Sequence, residues 1–165
     1  MSPGDPRDEV AAYWSANMAG TDAFSPQMYW LAVPRVQSRF QRLACGGAPY
    51  ASWVDYVVKE FMVPRGLCKG RVLSLGCGSG ALERDLARLD AFAECDAFDI
   101  AADAIEVARR EAEAFAMPPI RYAVRDVQQG SLPEGAYAAA FFNGSLHHIE
   151  ALEKVIVDVR RSLVP

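Results

Sequence analysis

Short apolar runs recur along residues 71–165, and each ends in a polar or glycine-rich turn. Val72, Leu73 and Leu75 read as a buried strand. Leu82, Leu86 and Leu89 then fall at helical spacing. A second strand is expected from Ala91 to Phe98, ending at Asp99, followed by a helix through Ile100-Ala-Ala-Asp-Ala-Ile-Glu-Val-Ala-Arg-Arg. The third strand spans Ile120 to Val124 and ends in Arg125-Asp126. The fourth, Tyr137-Ala-Ala-Ala-Phe-Phe142, is apolar throughout, as suits a sheet covered on both faces. It leads through Asn143-Gly-Ser-Leu-His-His-Ile-Glu150 into a helix over 151–163. Strands alternating with helices predict an α/β fold with a mostly parallel sheet.

The connection Gly76-Cys-Gly-Ser-Gly80 is the first candidate for chemistry. Glycines at that turn let bare backbone approach a ligand closely, at the carboxyl end of a strand and the start of a helix. A tight connection alone would also use them. Gly76, Gly78 and Ala81 satisfy the dinucleotide fingerprint too, so the turn does not separate NAD from another adenosine cofactor. Asp99 lies about twenty residues further on, where an acid can accept from both ribose hydroxyls. Its competing role is to cap the next helix, although Asp103 suits that task better. Asp126 repeats the arrangement after the third strand and is suited to accept from an adenine amino group; an Asx turn is its alternative.

These pieces together resemble the class I S-adenosylmethionine-dependent methyltransferases. The resemblance rests on Val-Leu-Ser-Leu-Gly-Cys-Gly-Ser-Gly (72–80), Phe-Asp-Ile-Ala-Ala-Asp-Ala-Ile-Glu-Val-Ala-Arg (98–109), Val-Arg-Asp-Val (124–127) and Asn-Gly-Ser-Leu-His-His-Ile-Glu-Ala-Leu-Glu (143–153). It implies a Rossmann-like three-layer α/β/α sandwich with strand order 3-2-1-4. It also implies S-adenosyl-L-methionine as cofactor, S-adenosyl-L-homocysteine as product, and no metal. Gly76, Cys77, Gly78 and Gly80 would line the methionine and ribose part. Asp99 would hold the ribose and Asp126 the adenine amino group, with Ile100, Val127 and Asn143 also binding the cofactor. Asn143 to Leu146 would lie beside the sulfonium.

Two departures bear on this expectation. Ser74 stands where the family usually carries an acid that helps hold the cofactor's amino group, which implies weaker binding. The family sheet continues through strands 5-7, in the order 3-2-1-4-5-7-6, whereas the matching segments here reach Val164-Pro165 after strand four. The fourth strand is then expected to be an open apolar edge, which is a pairing liability. A fragment, a homodimer through that edge, or packing by the N-terminal segment would each account for it.

Residues 1–70 differ in character and are expected to form a helical lid or cap on the 71–165 core, within one structural domain. Helices are expected over 9–18, 33–43 and 52–62, the last with Trp53, Tyr56, Val57 and Phe61 at roughly helical spacing. That stripe favours core packing over a lid role. Tyr13, Trp14, Tyr29 and Trp30 are the lid candidates, since aromatic faces attract a sulfonium.

Composition removes other classes. The chain has 165 residues and a net charge of −4 without a basic cluster, which argues against nucleic acid and anionic membranes. No apolar run approaches the roughly 20 residues of a membrane span. Acids near the start and the lack of a long apolar segment argue against a signal peptide. Cys45, Cys68, Cys77 and Cys95 show neither metal spacing nor disulfide density and read as reduced thiols in a cytoplasmic protein. Cys77 is either a reactive thiol or, more simply, a small residue in a crowded turn.

Adjacent side chains diverge, so His147 and His148 make a poor metal clamp. A neutral His147 facing substrate is suited to accept its proton during methyl transfer, with His148 beside it. Glu150 reads as a first-turn helix acid. The leading function is transfer of a methyl group to a small-molecule acceptor by direct displacement. An NAD(P)-binding oxidoreductase-type domain and a non-catalytic cofactor-binding module are the alternatives.

Overall fold

The computed structural model describes Ala12 and residues 33–47, 50–114 and 118–165. The lid candidates Tyr13, Trp14, Tyr29 and Trp30, and the helix expected over 9–18, lie outside this set apart from Ala12. Helix α1 (Pro34–Ala44) starts on proline, whose fixed φ suits a first helical turn. Helix α2 (Trp53–Val57) is capped by Ser52, whose hydroxyl accepts from the Asp55 N–H at 3.1 Å. It continues as a π-helical turn, Val58–Met62, and then as two 3₁₀ turns, Val63–Arg65 and Leu67–Lys69.

Four strands follow: β1 (Arg71–Leu75), β2 (Glu94–Asp99), β3 (Ile120–Val124) and β4 (Ala139–Phe141). All pair in parallel, in the order β3-β2-β1-β4. Helix α3 (Ala81–Arg88) joins β1 to β2, α4 (Ala102–Glu113) joins β2 to β3, and α5 (Leu152–Ser162) follows β4. This is the Rossmann-like α/β/α arrangement, with the sheet order expected from the sequence.

Alternation along the strands divides the core in two. Val72, Cys95, Ala97 and Tyr122 face Val54, Val58, Met62, Leu82, Leu86, Ile105 and Ala108, on one side of the sheet. Leu73, Leu75 and Tyr137 face Val155 and Val159 of α5 on the other. Each such fully buried aliphatic side chain contributes about 1.5–3 kcal/mol. The acid-facing part of the second layer is a network around buried Asp96. It accepts from Tyr137 Oη at 2.7 Å, Arg121 Nε at 2.7 Å and Arg71 Nη2 at 2.5 Å. Burial alone would raise the Asp96 pKa; the tyrosine hydroxyl and the two guanidiniums outweigh it and hold the carboxyl below its ordinary value.

Four expectations need correction. Strand β2 begins at Glu94, not Ala91, because the Ala91 N–H closes α3 by donating to the Leu86 carbonyl. Ala91 and Phe92 are apolar because they are buried in the core as loop. Strand β4 is only three residues long, and Tyr137 bridges Leu163 instead. The stripe Trp53, Tyr56, Val57, Phe61 is not the packed face of its helix. Val54, Val58 and Met62 are buried, while Trp53 and Phe61 are exposed and Tyr56 stacks edge-on against Tyr50 and Phe61. Glu150 precedes α5, whose first-turn acid is Glu153.

After α5 the backbone returns to the outer side of the β4 segment. The Val164 N–H donates to the Tyr137 carbonyl at 2.9 Å, and the Ala136 and Tyr137 N–H groups donate to Ser162. The first rung of that edge is therefore occupied by the chain itself, in competition with the expected homodimer pairing.

Candidate functional site

The carboxyl ends of the four strands lie side by side, so the turns that follow them share one rim of the sheet. After β1 the backbone must reverse toward α3, and Gly76, Gly78 and Gly80 do this at φ values of +73°, +53° and +78°. Two of these glycines are also required by space. A Cβ on Gly76 would meet Ser145 Cβ at 2.2 Å, and one on Gly80 would meet Tyr122 Oη at 2.5 Å. A Cβ on Gly78 would meet nothing within 4 Å. Gly78 therefore presents bare backbone to open space.

The turn is fastened to β2. The Gly76 and Cys77 N–H groups both donate to the Phe98 carbonyl, at 2.8 and 3.0 Å. One Asp99 carboxylate oxygen accepts from the Gly78 N–H at 2.8 Å, and the other accepts from the Ala101 N–H at 2.9 Å. Asp99 is thus not the cap residue of α4, a position held by Ala101. Two backbone donors fix its carboxylate, and each oxygen keeps a lone pair for a further donor.

Cys77 is half-buried, and burial, then the nearby Glu83 and Asp99 charges, push its thiol pKa up. That is the setting of a small turn residue, since reactive thiols need a lowered value. Beside it, Ile100 and Val127 are half-buried on the same rim. Asp126 forms an Asx turn: Oδ1 accepts from the Gln128 N–H at 2.9 Å and Oδ2 from Gln129 Nε2 at 3.0 Å.

Beyond β4, Asn143 is exposed, and Ser145 Oγ donates to the Leu75 carbonyl at 2.5 Å. That bond pins the fourth rim segment to the end of β1. His147 and His148 are both exposed, with ring centroids 3.8 Å apart. Burial, then the His147 charge, lowers the His148 pKa, while Asp99 opposes the shift. Among the described residues no cluster of three or more His, Cys, Asp or Glu could hold a metal ion. No described helix is long and apolar enough to cross a membrane.

One site residue had no role in the sequence reading. Glu83, on α3, has no exposure, and neither carboxylate oxygen makes a hydrogen bond of ordinary geometry. Burial raises its pKa first of all, while the Ser74 hydroxyl lying against it lowers it. A sequence signal existed: Glu83 stands three residues before Leu86 and four before Ala87, on the buried stripe of the helix.

The methyltransferase domain family model matches residues 72–165, and the chain belongs to that family. An uncharacterized methyltransferase of Mycobacterium bovis is 41% identical over 104 residues, covering 62% of this chain and 49% of the relative. A malonyl-[acyl-carrier protein] O-methyltransferase of Chlorobium phaeovibrioides is 29% identical over 136 residues, covering 79% and 52%. The chain spans about half the length of these curated relatives. Among solved structures, phosphoethanolamine N-methyltransferase 1 of Haemonchus contortus superposes with a TM-score of 0.67 at 16% identity, covering 96% of this chain and 30% of that one. The DhpI-SAM-HEP complex gives 0.64 at 21% identity, covering 100% and 64%. At these identities the structural likeness establishes the fold.

Proposed function

We propose that the chain is the cofactor-binding core of an S-adenosylmethionine-dependent methyltransferase acting on a small-molecule acceptor. The observation that carries this reading is the rim itself. A bare Gly78 faces open space beside an Asp99 carboxylate locked by two backbone N–H groups. A mononucleoside laid across the strand ends would meet Asp126 beyond β3, Asp99 beyond β2, the glycine turn beyond β1 and Asn143 beyond β4. The methyltransferase relatives favour this reading over the NAD(P) alternative.

The residues fit the cofactor in charge as well as in shape. Asp99 offers acceptors to ribose hydroxyls, and Asp126 offers one to an exocyclic amine. Gly76, Cys77, Gly78 and Gly80 offer backbone, with Ile100 and Val127 as apolar walls. Bound there, S-adenosylmethionine would supply a methyl group already activated on positive sulfur. The chain has to orient donor and acceptor and exclude water. The segment Asn143–His148 borders the space where the acceptor would approach. His147, exposed at that border, is suited to take a proton from an acceptor hydroxyl or amine, with the His148 ring tilted against it. The segment before residue 71, with Tyr13, Trp14, Tyr29 and Trp30, is proposed as the lid.

The test is calorimetric titration with S-adenosylhomocysteine and with NAD, followed by methyl transfer from labelled S-adenosylmethionine to a panel of small hydroxyl, amine and thiol acceptors. Binding of S-adenosylhomocysteine alone, with label transferred to one acceptor class, is the expected result. Binding of NAD in preference, or no transfer to any acceptor despite binding, would overturn the assignment.

A further inference from the structure

Glu83 is a buried carboxyl group that the fold alone leaves without a use. It occupies the first turn of α3, directly after the glycine turn, with none of its surface in contact with solvent. Neither of its oxygens accepts a hydrogen bond of ordinary geometry, although the Ser74 hydroxyl lies against it. Ionising a carboxyl so poorly supplied with donors is costly, because little replaces the water it has lost, and burial accordingly raises its pKa. Favourable position near a helix N-terminus offsets only part of that cost. The ionisable and polar groups around it are Ser74 from β1, Cys77 in the turn, Cys95 and Asp99 from β2, Tyr122 from β3 and Arg84 on its own helix. Only Arg84 among them is a cation, and its guanidinium is turned to the Ser79 carbonyl at 2.6 Å.

Strand order says which part of a ligand would need this charge. Ser74 shares the face of Val72, the face covered by α3, so Glu83 meets the sheet under the end of β1. Asp99, beyond β2, is already the acid for the ribose. A donor running across the rim from Asp126 through Asp99 then brings its amino-acid end over β1 and the glycine turn. That end carries an ammonium. β1 itself contributes only the neutral Ser74 hydroxyl there.

We propose that Glu83 is a positioning residue for the cofactor. Its carboxylate, seated against Ser74 beneath the glycine turn, supplies the negative charge that holds the ammonium end of the methionyl donor. The inference rests on the S-adenosylmethionine reading above. It adds a residue acting through the Ser74 hydroxyl and the turn rather than by touching the reacting atoms.

The experiment compares two ligands that differ at that end. S-adenosylhomocysteine carries the ammonium; 5′-methylthioadenosine lacks the whole amino-acid part. In Glu83→Gln, affinity for S-adenosylhomocysteine should fall about ten- to hundred-fold, the loss expected for one buried charged interaction. Affinity for methylthioadenosine should change less than about twofold. Adding Ser74→Asp to Glu83→Gln returns a carboxylate to the same place and should recover most of the loss. The melting temperature of Glu83→Gln should stay within about 4 °C of the wild type, since one buried polar group replaces another of the same shape. Equal losses for both ligands together with a lowered melting temperature would show a merely structural role and overturn the proposal. So would unchanged S-adenosylhomocysteine affinity in Glu83→Gln where the wild-type chain binds that ligand. A wild-type chain that binds neither ligand would instead sink the functional reading and take this proposal with it.

Discussion

Gly78 and Gly80 share a left-handed backbone yet should respond differently to the same substitution. Alanine at either site meets a left-handed φ, +53° or +78°, which costs roughly 1–2 kcal/mol. The restricted unfolded chain returns about 0.4–1 kcal/mol of that. Gly78→Ala should therefore lose only about 1 kcal/mol, because its new Cβ meets nothing within 4 Å. Gly80→Ala drives a methyl group against the Tyr122 ring, with contacts of 2.5, 2.8 and 2.9 Å to Oη, Cζ and Cε1. Tyr122 is buried in the core and has little room to yield. Overpacking of that kind adds about 1–3 kcal/mol, for a total near 2–4 kcal/mol. In a chain of this size that lowers the melting temperature by roughly 4–16 °C. Ligand affinity should rank the other way, since the Gly78 methyl projects into the space assigned to the cofactor. Urea unfolding and calorimetric titration with S-adenosylhomocysteine on both variants supply the two numbers. Equal destabilisation would refute the packing argument. Undiminished binding by Gly78→Ala would refute the assignment of that open face to the ligand.

Three further outcomes follow from particular contacts. Tyr137→Phe removes the 2.7 Å bond to buried Asp96 and should cost about 1–2 kcal/mol at pH 7, read by urea unfolding. The Asp96 pKa is held below its ordinary 3.8, so its contribution is complete above that value and is lost as pH falls through the folded-state pKa. Tyr137→Phe should therefore flatten the acid limb of a stability–pH curve; a parallel displacement would contradict the linkage. Asp99→Ala should cost about 1–3 kcal/mol of stability through its two backbone partners and also weaken S-adenosylhomocysteine binding, whereas intact binding would exclude the ribose role. Iodoacetamide at pH 8 should leave Cys77 unmodified in the folded chain and label it after denaturation, as peptide mass mapping can show. Rapid labelling in the native state would contradict its raised pKa.

The parts of the fold legible in the sequence were those set by local pattern. β3 occupies Ile120–Val124 as expected, and α3 follows the Leu82, Leu86 periodicity, because apolar spacing and flanking glycines specify them without help from distant residues. The errors arose where apolar residues serve a neighbour other than the sheet. Ala91 and Phe92 fill the core as loop, and Tyr137 belongs to the Leu163 bridge and the Asp96 network. On α2 a cluster of aromatic side chains drew the helix face to the wrong side, since Val54, Val58 and Met62 carry the burial. At the site, Asp99 and the three glycines stood out because turn chemistry is local. Glu83 did not, because a first-turn glutamate ordinarily lies in solvent. Here Ser74 of β1, Cys95 of β2 and Tyr122 of β3 surround it, and it has no exposure.

The most direct measurement is a crystal structure of the chain soaked with S-adenosylhomocysteine. The adenosine should lie across the tips of β3 and β2, with both ribose hydroxyls on Asp99, the amino-acid end over β1 and the backbone of Gly78 against the ligand. Density for the ligand elsewhere on the surface, or an empty rim at millimolar concentration, would contradict the account.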